Sequence, residues 1–240
     1  MKKFAIAILA ALIVACMIPV SGFAQLAPYA QDFEDLTQSD TGALTADGWL
    51  IYGNVFDAGW GWVYGYGVFG APNDGAAWSA IVTGQGGGGQ GDQQLSAFSD
   101  YNNGDHGAGF HIEANLFQEQ TVVEANVGQT WVFDFQGKMG NLEGDTTALA
   151  FIKTLDPNAG YATTNFITED MTAIADTWSD FTLSITIDAS LVGQILQIGF
   201  QNVATDYLGS GVYYDNINFN IDGAVSTENT SWDNLKSLYR

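Results

Sequence analysis

A single cysteine, Cys16, leaves the chain without an internal disulfide. It falls inside an N-terminal leader, so a chain starting after that leader has no thiol for nucleophilic catalysis or metal binding. Basic side chains are nearly as scarce. Six Lys and Arg stand against 27 Asp and Glu, a formal charge of −21. Such a chain is repelled by nucleic acid and anionic lipid, and it suits cations and neutral partners. The two histidines, His106 and His111, match neither His-Glu-x-x-His nor His-x-His spacing. The glycine stretch Gly84–Gly91 lacks the Lys-Ser or Lys-Thr of a phosphate-binding loop. There is no Gly-x-Ser-x-Gly elbow and no Glu-x-Asp-x-x-Glu strand of a jelly-roll glycosidase. No long helical period occurs before Asp222.

What is present begins with Met1-Lys2-Lys3, an apolar run from Phe4 to Val20, and small residues up to Ala24. This pattern predicts a secretory signal peptide cleaved after Ala24. Pro19 interrupts the run and no basic residues follow it, which argues against a retained membrane span. Ile13-Val14-Ala15-Cys16 offers a second option, a lipoprotein box in which Cys16 carries the lipid. Loss of Lys2 and Lys3 takes the charge from −21 to −23, leaving Lys138, Lys153, Lys236 and Arg240 as the basic residues.

The body of the chain is a series of short alternating runs separated by Gly, Asn, Asp and Pro turns. Trp131–Gly137 and Phe181–Ile187 alternate most clearly. Gly109–Phe117 and Gln120–Val127 read as two strands with a break between them. The pattern predicts an all-β, antiparallel two-sheet β-sandwich of the jelly-roll type over residues 25–222. The leader covers 1–24. A linker and tail cover 223–240, where Trp232, Leu235 and Leu238 predict a short C-terminal helix capped by Ser231.

Two stretches carry chemistry. In Ser210–Asn220, strand alternation places Asp215 on the apolar side with Tyr213, Ile217 and Phe219. A buried carboxylate needs a partner, and with so few bases a metal ion is the natural one. In Ala58–Val68, Trp60, Trp62, Tyr64 and Tyr66 alternate with small residues. One reading makes these rings a platform for the C–H faces of sugars, with Trp78 at its edge. The other puts them in the sandwich core.

Phe33-Glu34, Gly48-Trp49, Trp178 to Phe181 and Tyr214-Asp215-Asn216-Ile217, in that order, resemble the secreted jelly-roll carbohydrate-binding modules of the galactose-binding-like type. The resemblance implies a structural calcium held by Glu34 and Asp215. It also implies a polysaccharide or other glycan as partner, and no catalysis. The segment from Ala58 to Gly104 departs from that pattern and reads as insertions. The expectation is therefore a secreted or cell-surface glycan-binding protein with calcium as structural cofactor, no nucleic-acid partner and no membrane insertion. The alternatives are a self-associating adhesion or matrix subunit and a jelly-roll glycoside hydrolase.

Overall fold

A computed structural model of the protein describes residues 26–223. The expected leader, Cys16 and the C-terminal tail lie outside the described residues. The described chain forms twelve strands: β1 (Tyr29–Gln31), β2 (Leu50–Phe56), β3 (Trp62–Gly70), β4 (Ser79–Thr83), β5 (Gln93–Ala97), β6 (His111–Thr121), β7 (Thr130–Met139), β8 (Thr147–Asp156), β9 (Ala162–Asp170), β10 (Ser179–Thr186), β11 (Ile195–Ala204) and β12 (Val212–Ile221). One four-residue α-helix, α1 (Ala43–Ala46), precedes β2. Among the described residues no helix is long and apolar enough to cross a membrane.

The strands pair antiparallel in two six-stranded sheets. Sheet A runs β10-β7-β12-β5-β4, with β1 also on β12. Sheet B runs β3-β2-β6-β11-β8-β9. The chain passes repeatedly from one sheet to the other, and the two pack face to face as the expected jelly-roll sandwich. Alternation sets the layers. Trp131, Phe133 and Phe135 of β7 point inward, while Asp134, Gln136 and Lys138 point out.

Phe200 of β11 and Tyr214 of β12 join the sheets at the centre, their rings stacked 3.5 Å apart. Trp49, Phe133 and Phe135 surround Phe200 at 5.4–6.2 Å. Each such fully buried side chain contributes roughly 1.5–3 kcal/mol.

Two expectations are corrected. The break expected between Phe117 and Gln120 is absent, since β6 runs unbroken from His111 to Thr121, and the rest of the expected second strand holds a 3-10 turn at Glu124–Asn126. Gln118 and Gln120 keep the alternation because their amides are satisfied locally. Gln118 donates to the Asp47 carbonyl at 2.9 Å, and Gln120 brackets the Ala27 backbone. The second correction concerns β12. Its pairing with β7 slips between Asp215 and Asn218, and Asn216 adopts φ 47°. This bulge changes which residues face the core. Val212 and Tyr214 point inward before it, Ile217 and Phe219 after it. Tyr213 and Asp215 point to the outer face of sheet A, opposite Lys138 and Gln136.

Tyr214 Oη is buried without a hydrogen-bond partner. Tyr214→Phe is therefore expected to leave stability unchanged or raise it by about 1 kcal/mol, since an orphaned hydroxyl is removed. Tyr214→Ala should cost about 3–5 kcal/mol. Urea unfolding of both variants checks this, and a destabilised Tyr214→Phe would mean that the hydroxyl has a partner.

Candidate functional site

The outer face of sheet B holds a cleft of about 620 Å³ that crosses the sheet from β3 to β9. Its floor alternates apolar and polar rows, because neighbouring strands in register present like positions side by side. Phe117 and Phe151 flank Gly199 in one row. A Cβ at Gly199 would stand 2.8 Å from the Cβ of Phe117, so only glycine lets these strands lie together. Glu119, Gln197 and Lys153 form the next row, and Gly67, Tyr52, Asn115 and Gln201 the row on the other side.

The polar groups form a hydrogen-bonded relay. Glu113 Oε1 accepts from Asn54 Nδ2 at 2.8 Å and from Asn115 Nδ2 at 2.9 Å. Asn115 Oδ1 accepts from Gln201 Nε2 at 3.1 Å and Lys153 Nζ at 3.4 Å. Gln197 donates to Glu119 Oε2 at 3.1 Å. Asn54 Oδ1 accepts from the Trp62 indole at 3.1 Å, carrying the relay to the edge strand. Tyr161 stands at the other end of the cleft, 60% exposed and held at φ 63° after the β8–β9 turn. These cleft residues escaped the sequence reading. Their outward alternation was visible strand by strand, but the neighbour relations that make a cleft were not.

The expected aromatic platform is divided. Trp60 lies in the β2–β3 turn, not in the strand. Asp57 Oδ1 accepts from the Gly59 and Gly61 N–H groups, and Trp60 takes φ 66°. Its ring is 57% exposed and stacks on His111 at 3.9 Å. Trp62, 62% exposed, also lies on the outer face. A register shift between Val55 and Phe56 separates it from Tyr64 and Tyr66, which point to the inner side. There the Tyr64 and Tyr66 hydroxyls donate to Asp105 and Asp100 at 2.7 and 2.8 Å, and Tyr66 packs on buried Trp78. The glycine face of β3 is covered by a neighbouring strand. Tyr52 lies over Gly65, where a Cβ would meet its ring at 2.9 Å.

On sheet A, Asp215 is fully buried although it faces outward. The glycine loop roofs it. Asn216 Nδ2 holds the Gly89 carbonyl at 2.8 Å, Gln90 reaches Gln136 at 2.7 Å, and Gln94 Nε2 holds the Gln90 carbonyl at 2.8 Å. Lys138 and the Trp178 indole both donate to the Gln85 carbonyl, at 2.8 and 3.0 Å. This glycine loop is thus docked on the sheet. Asp215 Oδ1 accepts from the Asn216 N–H, whereas Oδ2 has no partner. Burial, with the charges of Asp32 and Glu34 nearby, raises its pKa to about 7. Glu34 Oε1 accepts from the Asp92 and Gln93 N–H groups at 2.8 and 2.7 Å. The Gln93 amide holds the carbonyls of Phe33, Glu34 and Leu36. The structure therefore brings Glu34 and Asp215 into one neighbourhood, with Asp32 added. Among the described residues no three His, Cys, Asp or Glu side chains group closely enough to hold a metal by themselves.

The histidines are separate. His106 is buried between Tyr101 and Tyr207, and burial lowers its pKa. Its Nε2 lies 3.4 Å from Ser99 Oγ. His111 lies beneath Trp60.

No family model matches the sequence, and no curated protein matches it. Solved structures resemble it distantly. A cyclase from Fischerella sp. TAU shares 15% identity at a TM-score of 0.47, over 81% of this chain and 94% of that one. The enzymatically active domain of Bacteriophage CBA120 tailspike protein 4 shares 12% at 0.46, over 78% of this chain. This chain spans only 21% of that tailspike. The CBM22-1 xylan-binding domain from Paenibacillus barcinonensis Xyn10C shares 11% at 0.37, over 61% of this chain and 83% of that one.

The raised pKa of Asp215 makes metal-free stability depend on pH. The folded state favours the neutral carboxyl, so this group's contribution is complete below about pH 4. It is lost as pH rises toward about 7, and is level above that. In chelator, Asp215→Asn is expected to flatten that part of the melting-temperature profile and to melt higher than wild type at pH 8. Parallel profiles for the two proteins would contradict this.

Proposed function

We propose that the protein is an exported, non-catalytic glycan-binding protein whose sandwich is stabilised by calcium. The observation that carries the binding half is the outer-face cleft of sheet B. It offers amide and carboxylate groups oriented by mutual hydrogen bonds, with exposed aromatic rings near its two ends. Sugars need both features: hydroxyls take directional hydrogen bonds, and C–H faces stack on rings. Trp62, bonded to the cleft residue Asn54, stands beside the cleft at the β3 side with exposed Trp60 in the adjoining turn, and Tyr161 lines it at the β9 side. Tyr64, Tyr66 and Trp78 support that edge from the inner side. The calcium half rests on the orphaned, fully buried Asp215 Oδ2. Glu34 and Asp215 would hold the ion, which would neutralise Asp215 and tie the first turn of the domain to β12.

A glycan array with and without calcium tests both halves. Binding of at least one glycan class is expected, and Trp62→Ala and Asn115→Ala should each weaken it at least about tenfold. Calcium should raise the melting temperature of wild type but not of Asp215→Ala. No binding across a broad panel overturns the first half, and a melting curve unmoved by chelator the second. Release of reducing sugar would overturn the non-catalytic assignment.

One observation favours the adhesion reading. Edge strand β3 lies in a stretch, Ala58 to Asn73, without a charged residue, and Val63, Val68 and Phe69 are exposed on it. Strand edges without charges pair with other chains. Light scattering at increasing concentration separates the readings: a glycan-binding module stays monomeric, a matrix subunit assembles.

A further inference from the structure

The two lysines of the described residues have opposite surroundings. Lys138 Nζ is satisfied within the protein, donating to Gln85 O at 2.8 Å and Gln85 Oε1 at 3.2 Å. It locks the glycine loop and has a structural role. Lys153 lies in the cleft floor and reaches across β11 toward β6. Its one hydrogen bond is the long 3.4 Å contact to Asn115 Oδ1, an atom already engaged by Gln201. An ammonium has three donors, so Lys153 keeps unused ones in the cleft. Its Nζ also lies 4.5 Å from the Phe151 ring and 5.4 Å from the Phe166 ring, which hold it in place without neutralising it.

The nearby carboxylates do not take it up. Glu113 spends Oε1 on Asn54 and Asn115, and Glu119 accepts from Gln197. Burial lowers the lysine's pKa, and the charge of Glu113 acts against that fall. A half-buried cation with unfilled donors costs free energy unless a ligand completes it. A cleft for neutral sugars alone does not need one.

Resting on the cleft reading above, we infer that the preferred ligand is a mostly neutral glycan bearing a sparse carboxylate, such as an isolated uronic acid, and that Lys153 Nζ receives this group. Sparseness follows from the formal charge of −21, because the surrounding field repels a polyanion. A single carboxylate at Lys153 forms a charge-assisted hydrogen bond in a partly desolvated site, where it is stronger than at an open surface. Glu113 and Glu119 on either side disfavour a second acid close by.

The test uses oligosaccharides with a neutral backbone and one uronic acid, alongside the same molecules after carboxyl reduction. Titration calorimetry in about 0.15 M salt limits long-range repulsion to roughly a Debye length of 8 Å. Wild type is expected to bind the acidic form about ten- to hundredfold more tightly than the reduced form. Lys153→Met should bind both forms alike, at the level of the reduced one. If wild type binds both forms equally or favours the reduced one, the lysine assignment falls and the cleft reading stands. If neither form nor any array glycan binds, the cleft reading falls and takes the assignment with it. Should Lys153→Met fail to fold, wild type decides: its preference must shrink as salt rises to about 0.5 M. A salt-independent preference would overturn the charge pairing.

Discussion

The bulge at Asp215–Asn218 is the constraint on which much of this structure depends. Without it, strict alternation would carry Asp215 into the same layer as Ile217 and Phe219, and would turn Tyr214 away from Phe200. With it, the aromatic ring closes the core and the carboxylate leaves it. The cost is a carboxylate that faces outward without reaching water, because a loop of glycines and glutamines covers it. One extra residue in one strand thus produces both a close ring stack between the sheets and a buried carboxyl that favours its neutral form.

Primary amides give the fold much of its detail. Gln93 and Gln94 hold loop carbonyls on sheet A, and Gln90 donates to the Gln136 side chain. Gln118 holds the Asp47 carbonyl and Gln120 the Ala27 backbone, while Asn54, Asn115, Gln197 and Gln201 build the cleft floor. An amide both donates and accepts without carrying charge. That matters in a chain with 27 acids and six bases, where ion pairs cannot be the general solution. The two outer faces then differ in what they offer. Sheet A presents a closed, acid-bearing site under a roof, while sheet B presents an open cleft whose polar groups are already oriented by one another.

The sandwich was legible because burial imposes a period of two, and Trp131–Gly137 and Phe181–Ile187 obey it without interruption. The closing strand was legible as a strand, but its bulge was not. Asn216 looks like any outward residue until the partner strand fixes where the slip occurs. The aromatic stretch was misjudged for a local reason. Asp57 followed by Gly59 and Gly61 is a turn signal, and it removes Trp60 from the alternation that its neighbours display. Asp215 was reached through the cost of burying charge and Glu34 through resemblance, and the charge of Glu34 acts on Asp215 in the fold. The cleft was hidden because Asn115, Lys153 and Gln201 lie on three strands far apart in sequence. Only the register places them side by side.

The position of β12 has a consequence for the order of events in time. It is the last strand of the described chain, yet it lies in the interior of sheet A, joining β7 to β5 and also receiving β1. No earlier portion of the chain can complete that sheet. Its pairings span large sequence separations, so loop closure must precede most of the reward, and such topologies fold slowly. Until β12 arrives, β7, β5 and β1 expose unpaired edges and the core side of their aromatic residues. A nascent chain halted anywhere before Val212 is therefore a half-built sandwich.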